Sequence, residues 1–528
     1  MNHPSLPILM LLAMPAAAVH IRVYNPAVHD RFTVYSATPV MNPGFLYDPL
    51  KFTGVGFHST EGHKQFALVS PRHFLCADHH KPSVLPGHVI RFVATDGTVL
   101  SRAITGMITI EADNTGLSDL TLGTFASDLP ANVKPLPYLN LAEEEDYAGR
   151  ELIVFGYGLN PGTIVCAGRG VAGSTLDLDL DGPAEISGDT RVLKFVYSGA
   201  GGSPDDARFI GGDSGSPSFV MEGGQPALTG VHLGVEPSGV DFNNYDTFVP
   251  HYVPKLDLQL AASGYRMRPV IFTPVTLTYS ASPAPAVFEA GEAASASITV
   301  ENTGAVETGN LAATLTFPTA LAPASVTASG CVVESVAAGV WQVRKALVAA
   351  SEEIVVTAAW TDVPNTAAIT ASIAVQSDTS TPSVNPLSIP VAVGYAVWSE
   401  DLVEGGQTDD PDGDGWNNLL EYALGSPPES GSFSLPGGGS LRPTMTFQGG
   451  TVALSYPERE NATLLGLSYQ VEMSTDLETE PWATTLPVGT VSSTQPFVPA
   501  LSGFVKRTLM WPQEAPEKFA RVKVELAE

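Results

Sequence analysis

The chain has 528 residues, a net charge of −29, 44% hydrophobic residues and only 15% charged ones. Such a length sets a prior of about two to four domains, and a surface this acidic repels phosphate backbones and anionic lipid, which argues against nucleic acid as a partner. With 50 glycines and 43 prolines, many short strands and turns are expected rather than long helices.

Residues 1–18 read as a secretory signal. Leu6–Met14 is an apolar run too short to span a bilayer, and Ala16-Ala17-Ala18 offers small residues for cleavage. Export is therefore expected, to the extracellular space or a bacterial-type periplasm; a buried N-terminal strand is the alternative. No later stretch is apolar enough for a transmembrane anchor. Three cysteines, Cys76, Cys166 and Cys331, cannot make a disulfide framework. Cys76 and Cys166 either pair or remain buried thiols. Residues 19–48 carry Tyr24, Phe32, Val34 and Tyr35 and read as a leading segment packed on the adjoining β domain, or as a pro-segment.

From Phe52 to about Ala262 short alternating runs recur between Gly, Pro and Asn/Asp turns, among them His88–Ala94, Ile153–Phe155 and Val192–Val196. This spacing predicts antiparallel barrels. Within it, Phe66–His80 reads as a strand, a turn at Ser70-Pro71 and a second apolar strand ending on a histidine. Gly116–Phe125 places Asp119 at the mouth of another strand. Gly211-Gly-Asp-Ser-Gly-Ser-Pro217 sets a serine between glycines. Glycines there permit backbone geometries that a side chain forbids. The Gly212 and Ser214 N–H groups would then turn inward beside a free hydroxyl, the layout of an oxyanion hole. A nucleophile elbow would need Gly-x-Ser-x-Gly, and Ser216 breaks that pattern.

The order His79, Asp119, Ser214 resembles the chymotrypsin-like (trypsin-family) serine proteases. Leu75-Cys-Ala-Asp-His79-His80, Asp119-Leu-Thr-Leu122, Phe155-Gly-Tyr-Gly158 and Gly212-Asp-Ser-Gly-Ser-Pro217 carry the likeness, over roughly residues 50 to 260. The resemblance implies a double β-barrel, and a serine endopeptidase acting on protein or peptide through an acyl-enzyme. It implies His79 as base, Asp119 as its orienter and Ser214 as nucleophile, with no cofactor in the chemistry. It further implies a substrate-binding strand through Leu233 and Gly234, a last helix near Pro250–Ala261, and Arg208 at the base of the primary pocket. Arg208 there would favour acidic side chains, or else it pairs with Asp205 or Asp206 at the surface. His80 stands where animal members have cysteine. No Ile-Val-Gly-Gly start is visible, so no N-terminal amine is evident for Asp213. A catalytically silent adhesion or binding protein that keeps the barrel is the second reading; an intact triad favours the first.

Residues 270–395 alternate Val, Thr and Ala around Asn/Gly turns, as in Ala294–Val300 and Leu311–Phe317, and predict an Ig-like β-sandwich. Within 396–430, Asp410-Pro-Asp412-Gly-Asp414-Gly-Trp416-Asn-Asn418-Leu-Leu-Glu421 fits a twelve-residue EF-hand loop. It has carboxylates at positions 1, 3, 5 and 12, Gly at 6, a carbonyl from Trp416, and Asn418 acting directly or through water. Four carboxylates so close repel one another unless a hard cation neutralises them, so structural Ca²⁺ is expected. The following helix should stop at Gly425; one helix rather than two resembles dockerin-type calcium loops. Residues 440–528 alternate again and predict a C-terminal β domain. The expected chain is thus mainly β: signal 1–18, barrels 19–265, sandwich, calcium loop-helix and terminal β domain.

Overall fold

The computed structural model describes residues 19–527, apart from 36–37, 114–115, 158–164, 181–187, 285–286, 367, 435–439, 464, 477–481, 497–500, 502 and 515–518. The predicted signal lies outside the described residues, as does Gly158.

Two closed six-stranded antiparallel barrels come first. The first is β1 (Val55–His58), β2 (Gln65–Ser70), β3 (His73–Cys76), β4 (Val89–Val93), β5 (Val99–Glu111) and β6 (Leu117–Phe125). The second is β7 (Glu151–Gly156), β8 (Cys166–Leu178), β9 (Thr190–Tyr197), β10 (Pro217–Glu222), β11 (Gln225–Ser238) and β12 (Asp241–Phe248). In the first barrel the circuit runs β1-β2-β3-β6-β5-β4, and in the second β7-β8-β9-β12-β11-β10. The two halves therefore share a topology that their sequences do not advertise.

Their packing explains the composition. Along β2 every residue is buried, because successive side chains point to opposite faces and both faces are covered. Phe66 and Leu68 fill the first barrel, while Ala67 and Val69 face the seam between barrels. Leu152 and Val154 fill the second, and Ile153 and Phe155 meet the same seam. Phe32 and Phe45 of the leading segment enter that seam, as do Phe52 and, from α1 (Val249–Ala261), Tyr252, Leu256 and Leu260. The leading segment is thus built into the barrel pair. Cys76 and Cys166 are buried free thiols, not a disulfide.

Sheets of four and six strands follow, spanning Leu277 to Ala392, with one apolar core between them. Arg344 of this unit, 1% exposed, donates from Nε to the Ser263 carbonyl (3.1 Å) and from Nη2 to Glu334 (2.8 Å). Arg72 of the first barrel reaches the same Glu334 at 3.0 Å. These ties hold the sandwich against the barrels. Next, α2 (Asn418–Leu424) ends on Gly425 in the left-handed region (φ 83°), as a glycine cap permits. The remaining strands, Thr444 to Leu526, form a four-stranded and a two-stranded sheet. Among the described residues no helix is long and apolar enough to cross a membrane.

Candidate active site

His79 lies in a short helical turn after β3, Asp119 is the third residue of β6, and Ser214 sits in the loop before β10. Strands β3 and β6 pair with Cys76 opposite Thr121, and this register carries Asp119 to His79. The Asp119 carboxylate, wholly buried, accepts from both His79 groups: the backbone N–H at 2.9 Å and Nδ1 at 2.8 Å. A proton held on Nδ1 leaves the Nε2 lone pair free, and Ser214 Oγ lies 2.8 Å from it. Burial pulls the His79 pKa down, but the Asp119 charge and hydrogen bond, with Asp78 beside them, leave it above its ordinary value. The three predicted residues are thus brought into one hydrogen-bonded chain across the two barrels.

Around Ser214 the loop turns on two glycines in the left-handed region, Gly212 (φ 105°) and Gly215 (φ 88°), a conformation that disfavours any side chain. Asp213, Gly215 and Ser216 donate their amides to Ile210, His232 and Asp213 carbonyls. Among the described residues no acceptor faces the Gly212 or Ser214 amides. A substrate oxyanion would supply one.

Several contributors to this site were not expected from the sequence. His80 Nδ1 donates to the Ser214 carbonyl at 2.7 Å. Beneath the loop, His232 places Nδ1 2.6 Å from Asp246 and Nε2 2.6 Å from the Phe155 carbonyl. Both nitrogens face oxygen atoms, and the buried pair braces the loop through the bond from the Gly215 amide to the His232 carbonyl (2.9 Å). Asp213 is also wholly buried, and burial pushes its carboxyl up to about 7 against the bonds it accepts from Ile210, Tyr157 and Val19 backbone groups. Val19, the residue after the predicted cleavage point, is fully buried beside it.

Leu233 and Gly234 lie on β11 just past the end of its pairing with β10 at Val231, and Leu233 is the extra residue of a bulge in the ladder with β12. One edge of β11 is therefore left by β10 there. Arg208 stacks its guanidinium on the Phe242 ring at 3.9 Å, with Tyr197 at 5.9 Å. The alternative pairing is not realised: Asp205 engages His29 (3.2 Å) and Arg169 (3.4 Å), and Asp206 lies beside Arg22. Among the described residues Arg208 Nε is buried without a partner.

Far along the chain, ligand oxygens of Asp410, Asp412 and Asp414 lie within 4.8 Å of one another. Gly413 and Gly415 take φ of 70° and 91° and donate their amides to Asp410 at 3.0 Å each. Glu421 is wholly buried and, among the described residues, both its carboxylate oxygens are unpartnered, as are Asp412 Oδ2, Asp414 Oδ2 and Asn418 Oδ1. Burial and the three aspartates raise Glu421 to about 7. Such a set of orphaned oxygens fits a hard cation. The amide of Asn418 also holds the loop's entry, donating to the Glu404 and Gly406 carbonyls at 2.7 and 3.0 Å. Trp416 packs on Phe433 at 4.6 Å.

No protein-family model and no curated protein sequence matches this chain. Among solved structures it is similar to the secreted serine protease VesC from Vibrio cholerae, at 9% identity over 90% of this chain and 97% of that one, TM-score 0.27. It is similar also to the VesB protease of Vibrio cholerae (13% identity, 65% and 95% covered, TM-score 0.28) and to kallikrein-related peptidase 10 (17%, 38% and 90%, TM-score 0.26). At such TM-scores the likeness adds nothing to the strand order, which by itself makes the chain mainly β with a double barrel at its head.

Proposed function

We propose that the protein is an exported serine endopeptidase. The observation that carries this reading is the unbroken chain from the buried Asp119 through His79 to the Ser214 hydroxyl, at 2.8 Å for each side-chain link. Ser214 Oγ attacks a peptide carbonyl while His79 Nε2 takes its proton. Asp119 keeps the imidazole in the right tautomer and stabilises the imidazolium that forms. The Gly212 and Ser214 amides receive the oxyanion; loss of one such donor typically costs about 2.7–4 kcal/mol. His79 then protonates the leaving amine, and water, activated by the same imidazole, releases the acyl group.

The substrate is protein or peptide, bound along Leu233 and Gly234, with Arg208 selecting an acidic side chain. Export rests on the signal-like residues 1–18. We further propose that Asp410, Asp412, Asp414, Asn418, Glu421 and the Trp416 carbonyl hold Ca²⁺, which would neutralise the carboxylates and fix the loop. The support is the orphaned oxygens of Glu421 and its neighbours.

Labelling by a fluorophosphonate tests the hydrolase reading. Stoichiometric modification of Ser214, abolished in Ser214→Ala and accompanied by cleavage of an unfolded protein, is the expected result. An unreactive, folded chain would be a silent binding protein.

A further inference from the structure

A second constellation of ligating side chains sits on the first barrel, apart from both the triad and the acidic loop. Strands β1 and β4 pair with His58 opposite Ile90. His88, two residues back from Ile90, therefore projects from the same face as His58, and the rings lie 5.1 Å apart. The turn after β1 returns Glu61 to the same place, with Oε2 3.3 Å from His58 Nδ1. Thr60 Oγ1 lies between, 3.3 Å from Nδ1 of each histidine.

We propose that His58, Glu61 and His88 form a binding site for a zinc-class divalent cation. One ligand atom from each lies within 4.8 Å of the other two. With bonds of about 2.0–2.1 Å, two ligands of tetrahedral Zn²⁺ are about 3.3 Å apart, the separation found between His58 and Glu61. Two imidazoles and a carboxylate suit this metal and leave a fourth position for water. Capping of the turn alone, in which His58 Nδ1 accepts the Glu61 amide at 3.0 Å, does not account for His88. Among the described residues His88 Nδ1 meets only the long contact with Thr60, whose single proton cannot serve both rings. Lys64 holds the other oxygen of Glu61 at 3.0 Å and with it the carboxylate's orientation. The His58 side chain is fully buried, so its position is fixed by packing, while Glu61 and His88 are half-exposed and can close on an ion. On binding, the metal takes the lone pair that now accepts the Glu61 amide.

The site would act on the wall of the active site. The same turn carries His63, whose ring packs on His80 at 5.5 Å and whose Cδ2 lies 4.0 Å from where a side chain on Gly212 would begin. Metal binding itself does not depend on hydrolysis, so its test stands apart from the protease reading.

The test is titration of metal-stripped full-length protein with Zn²⁺ and with Co²⁺, in saturating Ca²⁺ so that the acidic loop is filled. One equivalent should bind, Co²⁺ giving the intense visible absorption of four-coordinate sites. His88→Ala and Glu61→Gln should each weaken binding by about a hundredfold, since even outer-shell losses cost about 10–100-fold. His79→Ala should leave it unchanged. Weak, octahedral-type Co²⁺ spectra, or affinity that survives both His88→Ala and Glu61→Gln, overturns the proposal. So does affinity lost in His79→Ala, which would place the ion at the triad.

Discussion

His80 Nδ1 donates to the carbonyl oxygen of Ser214 at 2.7 Å, while its neighbour His79 faces the hydroxyl of the same residue at 2.8 Å. Adjacent histidines thus grip the two ends of one serine. Burial lowers the His80 pKa to about 4, so at neutral pH it is an uncharged donor whose role is positional. His79→Ala should cost at least about 10⁴-fold in kcat. His80→Ala should cost about 10–100-fold, with KM little changed, because a displacement near 1 Å at the nucleophile costs about that much. His80→Asn, which returns an N–H near the Nδ1 position, should recover most of the loss. Steady-state kinetics on one peptide decides; equal losses for both alanine variants would make His80 a member of the chemical machinery.

The relation of Val19 to Asp213 predicts a pH signature. Asp213 has no ordinary carboxylate environment: burial raises it from 3.8 to about 7. A carboxyl raised on folding is not penalised below its unfolded pKa, and the penalty grows until pH passes the folded value. Stability of a chain extended before Val19 should therefore fall between about pH 4 and 7. In a chain that begins at Val19, the freed α-amino group, protonated over this range, adds a cation beside the carboxylate and the fall should shrink. Thermal melts of the two forms across that window, with fluorophosphonate labelling rates, provide the check. Parallel curves and equal rates would separate Val19 from Asp213.

These relations explain what the sequence does and does not disclose. The triad was legible because each member sits in a short recognisable phrase, Ala77-Asp-His79, Asp119-Leu-Thr-Leu122 and Gly212-Asp-Ser-Gly215, although the β3–β6 register and the meeting of the two barrels do the positioning. Strands were legible where alternation met turn residues, as in Glu151–Gly156 and Thr190–Tyr197. His232 with Asp246, Val19 with Asp213, and His58 with His88 were not, since each pair depends on a register between distant strands or on a backbone amide. Arg208 was ambiguous for the same reason. Only the fold shows that His29 and Arg169 already occupy Asp205.

Arg208, stacked on Phe242 and with no acidic partner among the described residues, should set substrate preference. Peptides with Glu or Asp on the acyl side of the scissile bond should be cleaved preferentially. Arg208→Gln should erase about 10–100-fold of that preference, the worth of a charged hydrogen bond at about 1.5–3 kcal/mol. Profiling a peptide library with both enzymes measures it. An unchanged profile would remove Arg208 from the primary pocket.

Calcium should matter to the architecture and not to the hydrolysis. Tyr422 of α2 donates to the Val393 carbonyl at 2.6 Å, at the end of the sandwich, and its ring lies under Arg459 of the terminal domain at 3.8 Å. Helix α2 therefore joins the two units, and Glu421, beside Tyr422, belongs to the proposed calcium loop. Without a cation the buried Glu421 carboxylate has no partner, and a buried charge is tolerated only when paired or neutralised. Binding to the folded state alone stabilises it by about 2.7 kcal/mol at a hundredfold excess over Kd. Chelation should accordingly lower Tm and speed proteolysis between residues 395 and 430, and Asp412→Ala should reproduce both in excess Ca²⁺. Glu421→Gln removes the repelled charge along with a ligand, so it should abolish the calcium response while losing less stability than Asp412→Ala. Hydrolysis of a short peptide by the full chain should change less than about twofold in every case. Calorimetry that finds no calcium binding to the full chain would refute the assignment, and chelation that silences peptide hydrolysis would refute its independence from the triad.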